Sequence, residues 1–362
     1  MQNSKATRNS SKTGILNDMD LLVAEIRAIM ETARANVSRE INTTMLATYW
    51  QVGRTIVERE QNGSLKAEYG KKLLPELSKR LTKELGRGYS RSNLQNMRLL
   101  YHAYPEICQI ASGKLTWSHC LELLAVRDND ARAFYEQECI NSRWSVKELN
   151  RQIGTSLFER LLLSDGKANK EKVLALANNG ISMSRPEDML KQPYVFEFLG
   201  VPENKPMLEK DLEAKLIRHI EDFLLELGRG FMYVGSQQRV TIGNVHYYVD
   251  MVFYNKILKA YVLIDLKNGD LRIEHAGQMN AYLNYYKTEI NDADDNPPVG
   301  IILCKTSKDV VAEYALGGLS NQVFASNYVY YIPDKELLIG EIKALLAREN
   351  INISSIENEP DH

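Results

Sequence analysis

Two short apolar runs constrain this chain most. They are Val249-Asp250-Met251-Val252-Phe253-Tyr254 and Ala260-Tyr261-Val262-Leu263-Ile264-Asp265-Leu266-Lys267. Both are rich in β-branched and aromatic residues, and Asn255-Lys256 lies between them where a turn belongs. The pattern predicts a hairpin of buried strands. Each strand carries an acid among apolar neighbours. Side chains alternate along a strand, so Asp265 and Lys267 share one face, and an antiparallel partner brings Asp250 beside them. Two crowded carboxylates repel, and desolvation adds roughly several kcal/mol per ion. A divalent cation removes that repulsion. Mg2+, with Mn2+ as a substitute, suits a site of few carboxylates, water and phosphate oxygen. Lys267 is then placed to orient a water or offset developing charge. A lone D-x-K reads most simply as a surface ion pair; the second acid one strand earlier favours a site.

The flanking pattern predicts a helix over Leu208–Leu227 and strands over Phe231–Val234, Gln237–Ile242 and Val245–Tyr254. Beyond the D-x-K strand it predicts a helix over Glu274–Tyr286, a buried, parallel strand over Val299–Cys304, a helix over Asp309–Leu316, a strand over Tyr328–Ile332 and a closing helix over Asp334–Ala347. Gln278 and Tyr282 are four apart, on one helical face. An acid, a hairpin, D-x-K and then Q-x-x-x-Y, in that order, resembles the core of the PD-(D/E)xK nuclease superfamily. Over about residues 20 to 350 the chain also resembles the bacterial YhcG-like family, in which a helical N-terminal domain precedes such a nuclease domain. Val249 stands where the superfamily often has proline. The resemblance implies a restriction-endonuclease-like mixed sheet flanked by helices, with Asp250, Asp265 and Lys267 catalytic and Gln278 and Tyr282 beside them. It also implies a metal-directed glutamate on the helix before the first strand. Glu213 suits that role because Leu212 and Leu216 place it near the buried edge; Glu209 is the rival, and a solvated face is the plain alternative for both.

The N-terminal half reads as helical. Residues 1–17 are polar and read as a disordered tail; helical spacing starts near Asp18 and continues through Ile56 as two helices or one broken one. Tyr69–Leu85 is a basic amphipathic helix with Lys79, Arg80 and Lys83 on its polar side and Pro75 as a start or kink. Gly86-Arg87-Gly88 stops it, and Ser90 caps the next helix, which presents Arg91, Asn93, Gln95 and Arg98. Helix, glycine turn, helix is the order of a helix-turn-helix, and these side chains suit phosphate and base-edge contacts with DNA. A structural helical hairpin is the plain alternative. Ser145 and Glu148 form a capping-box pattern for a helix reaching toward Leu163. His119, without a partner at ligand spacing, reads as structural. The expected organisation is a helical DNA-binding domain over 18–163, a linker over 164–193, the nuclease domain over 194–348 and a polar tail over 349–362.

Net charge is −2, so local clusters must carry any argument for a polyanion partner. Cys108, Cys120, Cys139 and Cys304 are widely spaced, without C-x-x-C, and read as free thiols of a reducing cytoplasm. No apolar run reaches the length of a membrane span. The expected activity is Mg2+-dependent endonucleolytic hydrolysis of DNA. The competing expectations are a non-cleaving DNA-binding or adaptor protein on the same fold, and a nuclease for RNA or branched junctions. Cutting both strands of a duplex needs two sites, which favours a homodimer. Protein partners and recognised sequence are not legible.

Overall fold

The computed structural model describes residues 6–61, 67–106, 114–164, 170–202, 207–305 and 322–356. The expected helix over 309–316 and Cys108 lie outside them. The chain divides by packing into two units, Met1–Ala125 and Val126–His362.

The first unit is built on one helix, α1 (Ala6–Gln61), of 56 residues. It replaces the two helices expected and extends N-terminal to the apolar periodicity, through most of the stretch read as a disordered tail. Once nucleated, a helix propagates through polar sequence at one hydrogen bond per residue. Helices α2 (Ala67–Leu85), α3 (Arg91–Ala103) and α4 (Trp117–Ala125) pack on its C-terminal half. Helix α2 is continuous across Pro75. Ile56, Leu74, Leu94 and Met97 form one core cluster, and Leu46, Trp50, Leu100, Tyr104 and Cys120 another. At Gly53 an added Cβ would sit 2.0 Å from the Met97 carbonyl oxygen, so α1 and α3 touch backbone to backbone there. Gly86 and Gly88 both have positive φ in the α2–α3 turn, which explains two glycines within three residues.

The second unit starts with helices α5 (Asn129–Ser142), α6 (Val146–Gly154), α7 (Leu157–Leu162) and α8 (Lys170–Asn179). They fall with the sheet, although the sequence pattern assigns 129–163 to the N-terminal domain and 164–193 to a linker. The reason is a buried charge cluster. Glu226, fully buried, accepts from Arg160 at 2.5 Å, Arg151 at 3.1 Å and the Val195 amide at 3.0 Å. Lys191 donates to the Glu226 carbonyl. A glutamate on the second half of the 208–227 helix thus ties α6, α7 and the first strand together.

The sheet has six strands in the order β1-β6-β5-β4-β3-β2: β1 (Tyr194–Val195), β2 (Phe231–Ile242), β3 (Val245–Asn255), β4 (Ala260–Leu266), β5 (Val299–Cys304) and β6 (Gln322–Val329). Strands β2, β3 and β4 are antiparallel, and β4, β5, β6 and β1 run parallel. This is the expected mixed sheet, with β5 buried throughout and parallel to both neighbours. The two short strands expected over 231–242 are one strand with a register shift between Tyr233 and Gly235. The helix expected over 208–227 breaks at His219 into α9 (Glu209–Arg218) and α10 (Ile220–Leu227). Helices α9 and α10 cover one face, with Leu212, Leu216, Phe223 and Leu227 in the core with Phe253, Ile264 and Ile301. Helix α11 (Ile273–Tyr285) covers the other, through Met279, Tyr282 and Leu283. Gly300 on β5 lets α11 close in: an added Cβ there would lie 2.5 Å from Met279 Cγ. The closing helix, α12 (Lys335–Ile356), runs past residue 349, into the stretch expected as a tail. Among the described residues no helix is long and apolar enough to cross a membrane. Cys120, Cys139 and Cys304 are buried.

Candidate active site

The β3–β4 hairpin sets the site. Its register pairs Met251 with Ile264 and Val252 with Leu263, so the next step outward brings Asp250 opposite Asp265. The two carboxyl groups lie within hydrogen-bonding reach of each other. Asp250 Oδ2 also accepts from the Leu266 amide at 2.8 Å, which fixes its rotamer. Lys267 Nζ sits 2.7 Å from Asp265 Oδ2. That oxygen is buried and, though paired in charge, makes no aligned hydrogen bond. The backbone of Lys267 is held on both sides, its amide donating to the Leu303 carbonyl at 2.7 Å and its carbonyl accepting from the Tyr328 hydroxyl at 3.2 Å. The three residues predicted from strand alternation therefore meet at one end of the sheet.

Proton affinities follow from this crowding. Burial, then the neighbouring Asp265 charge, pushes Asp250 up to about 6. Burial raises Asp265 too, against the lowering effect of Lys267. For Lys267, burial works against the charged form, but the Asp265 carboxylate outweighs it and the pKa ends above the ordinary lysine value. Lys267 is a cation at neutral pH.

Helix α9 supplies two more acids one turn apart. Glu209 Oε1 accepts from the Asn268 amide at 2.9 Å, so it caps the end of the D-x-K strand. Glu213 is buried, and burial raises its pKa. It meets Asp250 through an intermediary: Gln237 Nε2 donates to Glu213 Oε2 at 2.8 Å and to Asp250 Oδ1 at 3.3 Å. A cavity of about 640 Å3 opens here, lined by Glu209, Glu213, Ser236, Gln237 and Asp250. Sequence reasoning missed Gln237. Its role depends on a left-handed backbone, φ 47°, inside the irregular strand β2, which no residue pattern announces.

On α11 the predicted pair is in contact. Gln278 Nε2 donates to the Tyr282 hydroxyl at 2.5 Å, and that hydroxyl donates to the Tyr248 carbonyl at 3.2 Å. Tyr282 is buried and its hydroxyl anchors α11 to β3, which leaves Gln278 as the more exposed member. His275, one turn earlier, is held neutral by burial and by the Lys267 charge.

A hard divalent cation fits this donor set. The available atoms are carboxylate oxygens, one of them buried without an aligned hydrogen bond, and burial raises the proton affinity of both acids despite the Lys267 charge beside them. Among the described residues no three His, Cys, Asp or Glu side chains converge as a ready-made cage. The acids come as a pair, Asp250 and Asp265, with Glu213 one amide away.

In the helical unit the predicted DNA-facing residues separate into two sets. Lys79, Arg80, Lys83, Arg87 and Arg91 are exposed, with Arg80 paired to Glu76 at 2.8 Å. Asn93 is engaged on both sides: its amide donates to the Gly88 carbonyl at 2.5 Å and its oxygen accepts from Trp117 Nε1 at 2.9 Å. Arg98 pairs with Glu60 at 2.7 Å and also donates to Gln95 at 3.0 Å. Asn93 thus ties α3 to the glycine turn and to α4, and Arg98 ties α3 to α1. Ser90 caps α3 as expected, accepting from the Asn93 amide. His119 is buried against Thr116, in keeping with a structural role.

The mixed sheet and its acid–acid–lysine edge define a nuclease domain of the PD-(D/E)xK type. The domain family described as "YhcG PDDEXK nuclease domain" matches residues 187–343, and the one described as "DUF1016 N-terminal domain" matches residues 25–160. The Escherichia coli (strain K12) protein named "Putative nuclease YhcG" is 39% identical over 345 residues, which cover 87% of this chain and 91% of that protein. The chain belongs to the YhcG family. Among solved structures, a repair endonuclease from Pyrococcus abyssi is 17% identical over 37% of this chain and 50% of its own, with a TM-score of 0.24. The EndoMS–dsDNA2 complex is 13% identical over 37% of this chain and 51% of that chain, with a TM-score of 0.25. The matched part thus spans about half the length of either structure.

Proposed function

We propose that this protein is a divalent-metal-dependent endonuclease that hydrolyses DNA phosphodiester bonds and is brought to DNA by its helical unit. The observation that carries the reading is the charge-coupled Asp250–Asp265 pair with Lys267 2.7 Å from one of its oxygens. Asp250 and Asp265 would hold Mg2+, or Mn2+ in its place, with Glu213 reaching it through water or after Gln237 gives way. When bound, such an ion polarises a phosphoryl oxygen and acidifies water.

The chain's own residues do the rest. Lys267 keeps its proton because Asp265 stabilises the cation, so it serves as a fixed positive charge beside the scissile phosphate and not as a base. The Leu266 amide holds Asp250 in place, and the Leu303 and Tyr328 contacts hold the Lys267 backbone. Gln278, oriented by Tyr282, is the side chain of α11 available to the DNA backbone. Lys79, Lys83, Arg87 and Arg91 supply salt-sensitive phosphate contacts.

The test is a nicking assay on supercoiled, linear, single-stranded and branched DNA and on RNA, with and without Mg2+. Asp265→Ala and Lys267→Ala should each lower cleavage at least a hundredfold while a gel shift on the same DNA persists. Cleavage that survives both substitutions, or that needs no divalent ion, overturns the assignment. A salt-dependent gel shift with no cleavage under any condition would make the protein a DNA-binding member of the fold.

A further inference from the structure

Strand β3 joins the rest of the sheet only at the candidate site. Strand β4 pairs with it from Met251 to Asn255. Before Met251, β2 and β3 pair with each other alone, from Gln238 opposite Val249 to Ile242 opposite Val245. The result is a two-stranded ribbon with Asp250 at its root. Gly243 and Asn244 close it, both at positive φ as a two-residue turn requires. Thr241 Oγ1 and His246 Nδ1 meet across it at 3.0 Å. The Tyr282 hydroxyl donates to the Tyr248 carbonyl, and the Tyr247 ring packs edge-on to the Tyr282 ring. The Gln278–Tyr282 pair thus fixes the ribbon to α11.

The two faces of the ribbon differ. Val240 and Val249 are buried in the core under α11, with Tyr247 beside Tyr282. Alternation turns Arg239, Tyr248 and Asp250 to the opposite face, the one that borders the cavity lined by α9. Arg239 and Tyr248 oppose each other across the ribbon. Tyr248 is 50% exposed and Arg239 is exposed too. Among the described residues neither side chain has a hydrogen bond, ion pair or ring contact. From Ser236 to Val249 the sequence has no Asp or Glu to repel a polyanion. An exposed ring beside a cation is the combination that holds unpaired nucleic acid: the ring stacks on a base and the cation meets phosphate.

Position selects the occupant. Tyr248 lies two residues, about 7 Å, along the strand from Asp250. A strand with its phosphate at the Asp250–Asp265 pair therefore sets its next nucleotide over this ring. A protein segment seated on the same face would shut the mouth of the site. We infer that Tyr248 is a stacking platform for the base beside the scissile phosphate, with Arg239 on the adjoining phosphate. The substrate is then DNA with unpaired nucleotides at the cut: a single strand, a flap or a branch point. The inference rests on the nuclease reading and narrows its substrate. Base faces are covered inside a duplex, so the ring engages a nucleotide already out of the stack, or one extracted at the cost of its stacking and pairing.

Binding by the full-length protein in EDTA, where no metal-dependent cleavage intrudes, tests it. The probes are a single strand and a flap, each carrying 2-aminopurine in its unpaired part, and a blunt duplex of the same sequence. Wild type should bind the first two more tightly than the duplex and quench the 2-aminopurine. Tyr248→Leu should weaken binding to the unpaired probes by about five- to a hundredfold and abolish the quenching, with duplex binding unchanged. Tyr248→Phe should retain both, and Tyr331→Leu, at another exposed tyrosine, should alter neither. Because Tyr248 is exposed, the thermal transition of each variant should match that of wild type. Equal affinity for flap and duplex, or quenching that survives Tyr248→Leu, overturns the inference, and Mg2+-dependent cleavage by the wild type would still uphold the nuclease reading. Quenching that depends on Tyr248 in a protein that cuts nothing keeps the ribbon as a binding site and overturns the nuclease reading instead.

Discussion

Asp250 shows how a single residue can be placed against the interest of the fold. Its half-buried carboxyl lies beside Asp265, and partial burial with that neighbouring charge holds its pKa at about 6, above the ordinary 3.8. The native state therefore binds a proton more tightly than the unfolded chain between those values. Native stability falls as pH rises through that window, and the penalty is complete above it. In metal-free protein at pH 7, Asp250→Asn should then raise stability by about 1–3 kcal/mol, since one pKa unit is worth about 1.4 kcal/mol. The gain should shrink toward pH 4. Thermal melts of both proteins at pH 4, 5.5 and 7 check this, and an asparagine variant that melts lower at pH 7 contradicts it. The pairing of these acids was legible because strand alternation is rigid: once the hairpin register is fixed, Asp250 has one neighbour to meet. Gln237 was not legible, although it bridges Glu213 and Asp250, because its reach depends on a positive φ within an irregular strand. The partners of Asn93 and Arg98 were not legible for a related reason. Sequence reports a polar side chain at a helix start and does not report the Trp117 and Glu60 that occupy it.

At the scale of elements, the apolar pattern located β3, β4, β5 and α11 but put the last strand at Tyr328–Ile332, where β6 spans Gln322–Val329, and charge pairing decided which elements belong together. Nothing in the helical spacing singles out Arg151, Arg160 or Glu226. In the fold Arg160 and Glu226 are fully buried, and Glu226 also receives the Val195 amide that aligns β1. The surrounding cations outweigh burial and hold the Glu226 pKa down to about 2. A depressed carboxylate contributes stability above its unfolded value near 4.5 and loses that contribution as pH falls toward 2. Acid unfolding of the second unit should therefore begin below about pH 4.5. Glu226→Gln leaves two buried guanidinium groups short of counter-charge and should cost about 3–5 kcal/mol. Urea titrations of both proteins at pH 7 and pH 3 separate the two effects: the variant's deficit should be large at pH 7 and smaller at pH 3. An equal deficit at both would place the loss in hydrogen-bond geometry and not in charge.

At the scale of the whole chain, the family matches split it at 160 and 187, whereas packing splits it after Ala125. The helices from Asn129 to Leu162 are thus N-terminal by descent and nuclease-side by contact, a distinction that composition cannot express because both helical stretches carry similar apolar spacing. What remains in the first unit is a helix bundle whose exposed cations, Lys79, Lys83, Arg87 and Arg91, cluster on α2, the glycine turn and the start of α3. With a net charge of −2 for the chain, long-range attraction to DNA has to come from such a local patch. Each neutralised phosphate releases condensed counterions, which contributes roughly 0.9 to the slope of log K against log salt. Replacing these four residues by glutamine should lower that slope by about one for each phosphate no longer neutralised and weaken binding similarly on unrelated sequences. Cleavage at saturating DNA should stay near the wild-type rate, since the Asp250–Asp265–Lys267 edge is untouched. Fluorescence anisotropy on two unrelated duplexes at low and at raised salt, read beside single-turnover cleavage, measures both. An unchanged salt slope would move the DNA-binding surface off the helical unit and onto the sheet edge alone.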